Sequence, residues 1–239
     1  MTVSSRYKDL YDGSYAGGTA REWRDAGAVG KAANIARVWR EAGLPARPRI
    51  VEIGCGEGAV AAALARMNFP GSYLGFDLSA SGIDEARGRK IPDTTFAVVD
   101  GDRVPVDDDS ADVVIMSHVV EHLEHPRILL YEARRIASTV VIEVPLELHV
   151  RTPRDYVWTD LGHINSYTST SIRHLVQSCD FDVLGQITTN PDRSVALFHG
   201  ATAKRRFAWR VKESLLTVAP PLARGAFTYH ETLVARRHD

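Results

Sequence analysis

The sequence has few cysteines, no long apolar stretch and almost no net charge. Its two cysteines, Cys55 and Cys179, are too few for a disulfide framework. No window approaches the run of about 20 apolar residues that spans a bilayer, and the N-terminal residues lack the apolar core of a signal peptide. A formal net charge of -1 provides no general attraction to nucleic acid or to an anionic membrane. We therefore expect a cytoplasmic protein without membrane or nucleic-acid partners.

The rest of the composition is that of an ordinary globular protein. A chain of 239 residues fits one large domain better than two. Heavy use of alanine and arginine suggests a GC-rich, bacterial genome. We expect residues 1–45 to form a helical segment that covers the substrate side, and residues 46–239 to form the ligand-binding domain. Acceptor-side insertions are expected at about 146–167 and 190–226.

Short apolar runs alternate with helical patterns along the chain. Strands that are almost continuously apolar and alternate with helices imply a parallel sheet covered on both faces. The predicted strands are Arg49–Gly54, Ser72–Asp77, Thr95–Asp100, Ala111–Ser117, Thr139–Val144 (ended by Pro145), Phe181–Ile187 and Thr228–Ala235, and the predicted helices are about Lys31–Ala42, Glu57–Asn68, Ser79–Arg87, Pro126–Ala137, Ser169–Ser178 and 203–218.

Chemically useful residues stand at the ends of these strands. Gly54, Asp77, Asp100 and Ser117 each close a predicted strand. Ligands of open parallel sheets bind beyond the carboxyl ends of the strands, where the strand order reverses. The pattern therefore predicts a ligand site at this edge.

The turn after the first strand, Glu-Ile-Gly-Cys-Gly-Glu-Gly-Ala, carries glycines at positions 54, 56 and 58. Glycines let the backbone turn sharply and approach a ligand closely, and the helix that follows presents free N–H groups. Because Gly54, Gly56 and Ala59 also satisfy the dinucleotide pattern G-x-G-x-x-[GA], a nicotinamide-dependent oxidoreductase is one candidate.

Charge argues against a dinucleotide. A pyrophosphate at this loop would be opposed by carboxylates, and four acids are expected around the cleft: Glu52, Glu57, Asp77 and Asp100. Such a cleft suits a ligand without phosphates and with net positive character, and S-adenosylmethionine (SAM) has an ammonium and a sulfonium.

The segment Val-Glu-Ile-Gly-Cys-Gly-Glu-Gly resembles the SAM-binding signature of class I methyltransferases. The resemblance implies an α/β, Rossmann-like seven-stranded fold, a single doubly wound sheet with helices on both faces. It implies that Asp77 holds both ribose hydroxyls. Residues 99–106 resemble the family's G-D-A-x-x-L-P-F segment, with Val99 in place of glycine, so that Asp100 accepts from the adenine amino group. The implied SAM-binding residues are Glu52, Gly54, Cys55, Gly56, Gly58, Asp77, Leu78, Asp100, Gly101 and Ser117.

A histidine-rich segment, Ser-His-Val-Val-Glu-His-Leu-Glu-His-Pro, follows the fourth predicted strand. If it is helical, His118, Glu121 and His122 lie at i, i+3 and i+4 and share one face. Two imidazoles and a carboxylate can bind a divalent ion. The alternative is that Glu121 and His122 cap loops and position the cofactor.

The same segment resembles the E-x-x-E-H motif of ubiquinone-biosynthesis O-methyltransferases and of the methyltransferases that act on small-RNA 3′ ends, which hold a metal with it. His118 replaces the first glutamate, which shifts the preference towards softer ions. The segment Asp-Leu-Gly-His-Ile-Asn resembles the family's downstream histidine segment and makes His163 a fourth ligand or a general base. The resemblance implies a divalent metal, Mg²⁺ first, and catalysis by the same residues: His118, Glu121, His122 and His163.

A histidine-rich acceptor side favours O-methylation. An alcohol is a poor nucleophile until its proton is removed, and a histidine near neutral pKa can remove it. A bound metal can instead stabilise the alkoxide. Glu143, at the end of the fifth predicted strand, is either a helper or an ordinary strand-end residue.

The acceptor is less well defined. Residues 146–165 combine aromatic and polar side chains, which suit sugar rings or planar phenols. Tyr7, Tyr11 and Tyr15 form either a lid or the packing face of a helix. The basic helix at 203–218 faces either an anionic partner or, as is more common, solvent.

As a whole, the chain resembles small actinobacterial O-methyltransferases of sugars or secondary metabolites, and the mycobacterial-type enzymes that methylate mannosides during methylmannose polysaccharide synthesis. The stretch at 20–35 and the histidine-rich site carry this resemblance. The expected partner is a small-molecule or saccharide hydroxyl, and a homodimer is one assembly to test. An RNA-interacting protein or RNA 2′-O-methyltransferase stays an alternative, against which the near-neutral charge argues.

Overall fold

The computed structural model of the chain describes residues 15, 20–152 and 162–238. Within these ranges seven strands form one sheet in the order β3-β2-β1-β4-β5-β7-β6. Only β7 runs antiparallel to its neighbours, β5 and β6; the other pairs are parallel. The strands are β1 (Arg49–Ile53), β2 (Ser72–Asp77), β3 (Thr94–Val98), β4 (Val113–Ser117), β5 (Thr139–Leu146), β6 (Phe181–Thr189) and β7 (Tyr229–Arg237).

Several helices begin where the sequence supplies a capping side chain or a proline. Ser79 caps the third helix by accepting the Gly82 N–H, and Pro126 opens the fourth at its first turn. The helices are α1 (Arg21–Glu41), α2 (Ala59–Arg66), α3 (Ala80–Gly88), α4 (Pro126–Ile136), α5 (Ser169–Gln177), α6 (Arg193–Ala196), α7 (Ala203–Val218) and α8 (Pro220–Ala226), with a 3₁₀ turn at Val120–His122.

The sheet has a hydrophobic core on each face. In β4 the buried side chains alternate: Val114 and Met116 pack with α4 and α5, whereas Val113 and Ile115 pack with α1, α2 and α3. A strand buried on both sides reads as a continuous apolar run. The predicted seven-stranded, doubly wound α/β fold with helices on both faces is therefore confirmed.

Two predicted boundaries are wrong. Strand β5 continues through Pro145 to Leu146, because β4 ends opposite Glu143 and the strand beyond that point pairs with β7 alone, where proline is tolerated. Helix α1 begins at Arg21, not near Lys31. Its first half is polar and contains two glycines, which obscured the helical pattern.

The C-terminal part adds helices to the domain rather than a second sheet. Helix α7 has no buried residue, in keeping with the solvent-facing interpretation of this basic segment. None of the helices in the described ranges is long and apolar enough to cross a membrane.

Candidate active site

The strand order reverses between β1 and β4, which lie side by side in the sheet. The loop after β1 and the turn after β4 therefore meet at one edge. This is the position at which open α/β sheets bind ligands, and it brings the glycine loop next to the histidine-rich segment.

The glycine loop has a backbone that other residues would strain. Gly54, Gly56 and Gly58 have φ angles of 79°, 51° and 72°, in the left-handed region that favours glycine. A Cβ atom at Gly54 would lie 2.4 Å from a methyl of Val119. Glycine at these three positions therefore permits a tight turn that packs closely against its neighbours.

Asp77, at the end of β2, organises this loop. Its carboxylate accepts the backbone N–H of Gly56 at 2.7 Å and that of Ser79 at 2.9 Å. A carboxylate can accept several hydrogen bonds at once, including two from a vicinal diol. The side chain is thus fixed beside the loop, as the assignment to a ribose diol requires.

The four acids do not form the predicted ring around the cleft. Glu57 is buried and paired with Arg24 at 2.8 Å and Arg89 at 3.0 Å, so the expectation that it adds negative charge to the cleft is wrong. Arg24 lies in α1, and Arg89 is the residue after α3. The glycine loop therefore lies between two positive charges, and Glu57 pairs with both. Their ion pairs clamp the helices to the glycine loop.

Glu52 lies within the sheet and is 1% exposed. It accepts a hydrogen bond from the Tyr73 hydroxyl at 2.7 Å. Burial raises the pKa of Glu52 to about 7, so its negative charge is only partial at neutral pH. Its role in SAM binding stays a prediction.

The other predicted SAM-binding residues lie around the same edge. Cys55 and Ser117 are buried, Leu78 and Gly101 are partly exposed, and Asp100 is exposed beyond the end of β3. The ring of Tyr15 covers the loop: its hydroxyl would be 2.5 Å from a Cβ on Gly56. This position fits the lid interpretation, while Tyr7 and Tyr11 lie outside the described residues.

The segment after β4 is not an α-helix. His118 has a left-handed backbone (φ 58°), which costs a non-glycine residue about 1–2 kcal/mol, and only a 3₁₀ turn follows. The single helical face predicted for His118, Glu121 and His122 is therefore wrong. The side chains instead form two groups.

The first His/Glu group consists of Glu121, His122 and His163, whose candidate ligand atoms lie within 4.8 Å of one another. His122 Nδ1 lies 3.1 Å from the Gly162 carbonyl oxygen, and His163 Nδ1 lies 2.8 Å from a Glu147 carboxylate oxygen. A ring nitrogen facing a carbonyl or carboxylate carries the proton, which leaves the lone pair on Nε2.

Burial shapes the charges of this group. Glu121 is fully buried, and neither of its carboxylate oxygens has a hydrogen-bond partner among the described residues. Burial raises the pKa of Glu121 to about 7 and lowers the pKa of His122 to about 4. Burial thus favours the uncharged forms of both Glu121 and His122. A bound cation would favour the ionised form of Glu121 and leave His122 neutral.

The second His/Glu group consists of His118, Glu143 and His230. His118 Nε2 lies 3.4 Å from a Glu143 carboxylate oxygen, and His230 Nδ1 lies 3.8 Å from the same oxygen. His118 also links the groups, since its Nδ1 is 3.4 Å from Glu121. The four predicted catalytic and metal residues thus meet at one site, in two groups.

Sequence reasoning missed three residues of this site. His230 enters from β7, the half-buried Lys31 enters from α1, and Glu147 follows β5 and contacts His163. Burial lowers the pKa of Lys31 against the opposing effect of Glu143, Glu121 and Glu52. No local pattern singled out these residues. Of the proposed acceptor segment, residues 153–161 lie outside the described residues.

Comparison with known proteins identifies the family and the fold. A family profile described as a methyltransferase domain matches residues 21–186. A solved SAM-dependent methyltransferase from Aquifex aeolicus has the same fold with a TM-score of 0.56, at 14% identity, covering 85% of this chain and 89% of that one.

Two curated relatives match shorter stretches. The phthiotriol/phenolphthiotriol dimycocerosates methyltransferase of Mycobacterium tuberculosis is 35% identical over 89 residues, which are 37% of this chain and 33% of the relative. The mitochondrial ubiquinone biosynthesis O-methyltransferase of Candida albicans is 32% identical over 99 residues, 37% of this chain and 29% of the relative. The chain thus aligns with about a third of the length of each relative.

Proposed function

Since the chain belongs to the methyltransferase family, we propose that it transfers the methyl group of SAM to a hydroxyl of a small molecule. The observation that carries the oxygen specificity is the meeting of four imidazoles and two buried carboxylates at the β4 edge, beside the glycine loop. The name of the C. albicans relative as an O-methyltransferase supports this choice.

The glycine loop and Asp77 fit SAM. The left-handed glycines of the loop lack a Cβ atom and suit close approach by the amino-acid end of the cofactor, and a carboxylate can accept two hydrogen bonds from a vicinal diol. SAM supplies an electrophilic methyl on a positively charged sulfur. The protein holds acceptor and donor in line, and such alignment alone can lower the barrier by several kcal/mol.

The histidines of the first His/Glu group are the candidate proton acceptors. Gly162 and Glu147 orient the imidazoles of His122 and His163 so that the lone pair lies on Nε2 in each. Although burial lowers the pKa of His163, its contact with Glu147 raises it above the usual value, which makes His163 the stronger base of the two. As the acceptor oxygen bonds to the methyl carbon and the carbon–sulfur bond breaks, the hydroxyl proton passes to one of these nitrogens. Nucleophiles such as enolates or free amines would not require this arrangement.

The first His/Glu group also fits a divalent metal. Glu121 has two buried oxygens without hydrogen-bond partners among the described residues, and His122 and His163 complete a set of two imidazoles and one carboxylate. A metal bound there would take up the Nε2 lone pairs and, in place of a histidine base, would lower the pKa of the acceptor hydroxyl. Mg²⁺ prefers oxygen ligands, so this donor set favours an ion that accepts imidazole, such as Zn²⁺.

A glycoside is the first acceptor that we propose, followed by phenols and secondary metabolites. The test is incubation of the protein with methyl-labelled SAM and a panel of sugars, glycosides, phenols and amines, with and without a chelator. We expect label in an ether on a hydroxyl acceptor, suppression by EDTA and recovery with added divalent ion. His122→Ala should lower kcat at least about 100-fold, the lower end of what a general base contributes.

His125→Ala is the matched control, because His125 lies three residues away and is exposed; it should keep wild-type turnover. Label only in amines would overturn the oxygen specificity. Undiminished turnover of the wild type after chelation would overturn the metal assignment while leaving methyl transfer intact.

A further inference from the structure

The second His/Glu group is built from three separate elements. His118 follows β4, Glu143 lies in β5 and His230 lies in β7. Glu143 is fully buried, and the side chains of His118 and His230 are 19% and 21% exposed. The two imidazole rings pack edge to face with centroids 4.7 Å apart. Polar groups brought together this deep require partners.

Two atoms of this group lack such partners. His118 Nε2 and Glu143 Oε1 are buried without a hydrogen-bond partner among the described residues, and a buried polar atom left unpaired destabilises the folded protein. They are 3.4 Å apart, and His230 Nδ1 is 3.8 Å from Glu143 Oε1. Ligands around a tetrahedral ion with bonds of about 2.1 Å are separated by about 3.4 Å, so the spacing is that of a coordination shell.

Neighbouring groups orient the donors. The other carboxylate oxygen of Glu143, Oε2, accepts from Asn34 Nδ2 at 3.1 Å and from Thr232 Oγ1 at 2.6 Å, which leaves Oε1 to face the imidazoles. His118 Nδ1 faces Glu121 at 3.4 Å. Carboxylates behind a ligating imidazole, and donors behind a ligating carboxylate, are typical surroundings of protein metal sites.

The local charge also favours a cation. Three buried carboxylates, those of Glu52, Glu121 and Glu143, face one ammonium, that of Lys31. Glu143 is the carboxylate among them that faces both imidazoles, so a dication held there would add positive charge beside a fully buried acid.

We propose that His118, Glu143 and His230 form a second divalent-metal site, adjacent to the first His/Glu group and distinct from it. Two imidazoles and one carboxylate suit Zn²⁺ or a similar transition-metal ion and leave a fourth position open, as in sites where the metal contacts a water or a substrate. The evidence for this site comes from its own three side chains, so the proposal does not depend on the proposed methyl transfer.

The experiment is a count of bound metal. The full-length protein is stripped with a chelator, loaded with Zn²⁺, dialysed and analysed by elemental mass spectrometry, and Co²⁺ loading followed by visible absorption reports the coordination. We expect two equivalents in the wild type and one in His230→Gln. Glu143→Gln, which can still accept from Asn34 or Thr232, should also hold one.

The matched control is His174→Ala, an exposed histidine on α5, which should keep two equivalents, and circular dichroism checks that every variant is folded. His122→Ala separates the two sites: it should lose the first equivalent and keep the second. If the first site fails and the second holds, the wild type binds one equivalent that survives His122→Ala and disappears in His230→Gln. Equal zinc content in wild type, His230→Gln and Glu143→Gln, or no zinc in any of them, would overturn the proposal.

Discussion

The packing of single residues holds the glycine loop against the histidine-rich turn that follows β4. Gly54 meets Val119, which lies next to His118, so that the glycine loop and the histidine-rich turn share one contact. A side chain at Gly54 would strain the backbone and also push Val119 away. The loop and the turn are therefore mechanically linked through a position that only glycine fills.

Gly54→Ala tests this link. We expect a loss of about 1–2 kcal/mol in the free energy of unfolding from the left-handed backbone, and a further loss of about 1–3 kcal/mol from overpacking against Val119. Gly43→Ala is the matched control, since Gly43 also has a positive φ (68°) but no atom within 4 Å of the added Cβ. Urea unfolding of both variants measures the difference, and equal losses would contradict the packing argument.

The histidine groups show what residue patterns can and cannot reveal. Spacing along the chain identified His118, Glu121 and His122, because they lie within five residues of one another. It did not anticipate the left-handed turn at His118, which depends on packing. His230 is more than a hundred residues away along the chain and reaches the site only because β7 pairs with β5.

At the scale of elements, α4 fixes the segment that follows β3. Glu132 in α4 accepts the Val104 N–H at 2.7 Å and pairs with Arg135 at 2.7 Å. Arg135 in turn donates to the carbonyl oxygens of Val104 and Val106. This network anchors the stretch just after Asp100, the residue predicted to bind adenine.

Glu132→Gln should lower the free energy of unfolding at pH 7 by about 1–3 kcal/mol, because a charged acceptor of several hydrogen bonds is lost. Although burial raises the pKa of Glu132, its hydrogen bonds with Arg135 and Val104 lower it below its usual value. A depressed folded-state pKa gives stability above the usual glutamate pKa of about 4.5, and this stability is lost as the pH falls through the folded-state value.

The measurement is thermal unfolding of wild type and Glu132→Gln between pH 7 and pH 3. The difference in melting temperature between the two proteins should be constant near neutral pH and should become smaller in the acid range. A difference in melting temperature that does not change with pH would mean that the charge of Glu132 does not contribute to stability. Glu124→Gln, an exposed glutamate near the start of α4, is the control and should match wild type.

The elements themselves were largely predictable. The central strands β1, β4 and β5 appear as apolar runs because they are buried on both faces, whereas β2 and β3 are partly exposed. The predicted bounds of these five strands differ from the observed ones by a few residues. Helix α1 was predicted too short, because its first half is polar and contains two glycines, which have low helix propensity. Its role in closing the site, through Arg24 and Lys31, depends on tertiary contacts that no local pattern contains.

At the scale of the whole molecule, the order of the strands determines where chemistry occurs. Reversal between β1 and β4 opens one crevice; the glycine loop and Asp77 lie on one side of it and the two His/Glu groups on the other. The electrostatic argument from four acids fails at Glu57, which is paired with arginines. The case for SAM therefore depends on Asp77, the glycine backbone and membership of the methyltransferase family.

Calorimetric titration of the full-length protein with S-adenosylhomocysteine and, separately, with NADH tests this central claim most directly. We predict binding of S-adenosylhomocysteine alone, weakened about 10–100-fold in Asp77→Asn, since a hydrogen bond to a charged group contributes about 1.5–3 kcal/mol. Asp84→Asn, an exposed change on α3, should bind as the wild type does. Tight binding of NADH without binding of S-adenosylhomocysteine, or undiminished affinity in Asp77→Asn, would contradict the account.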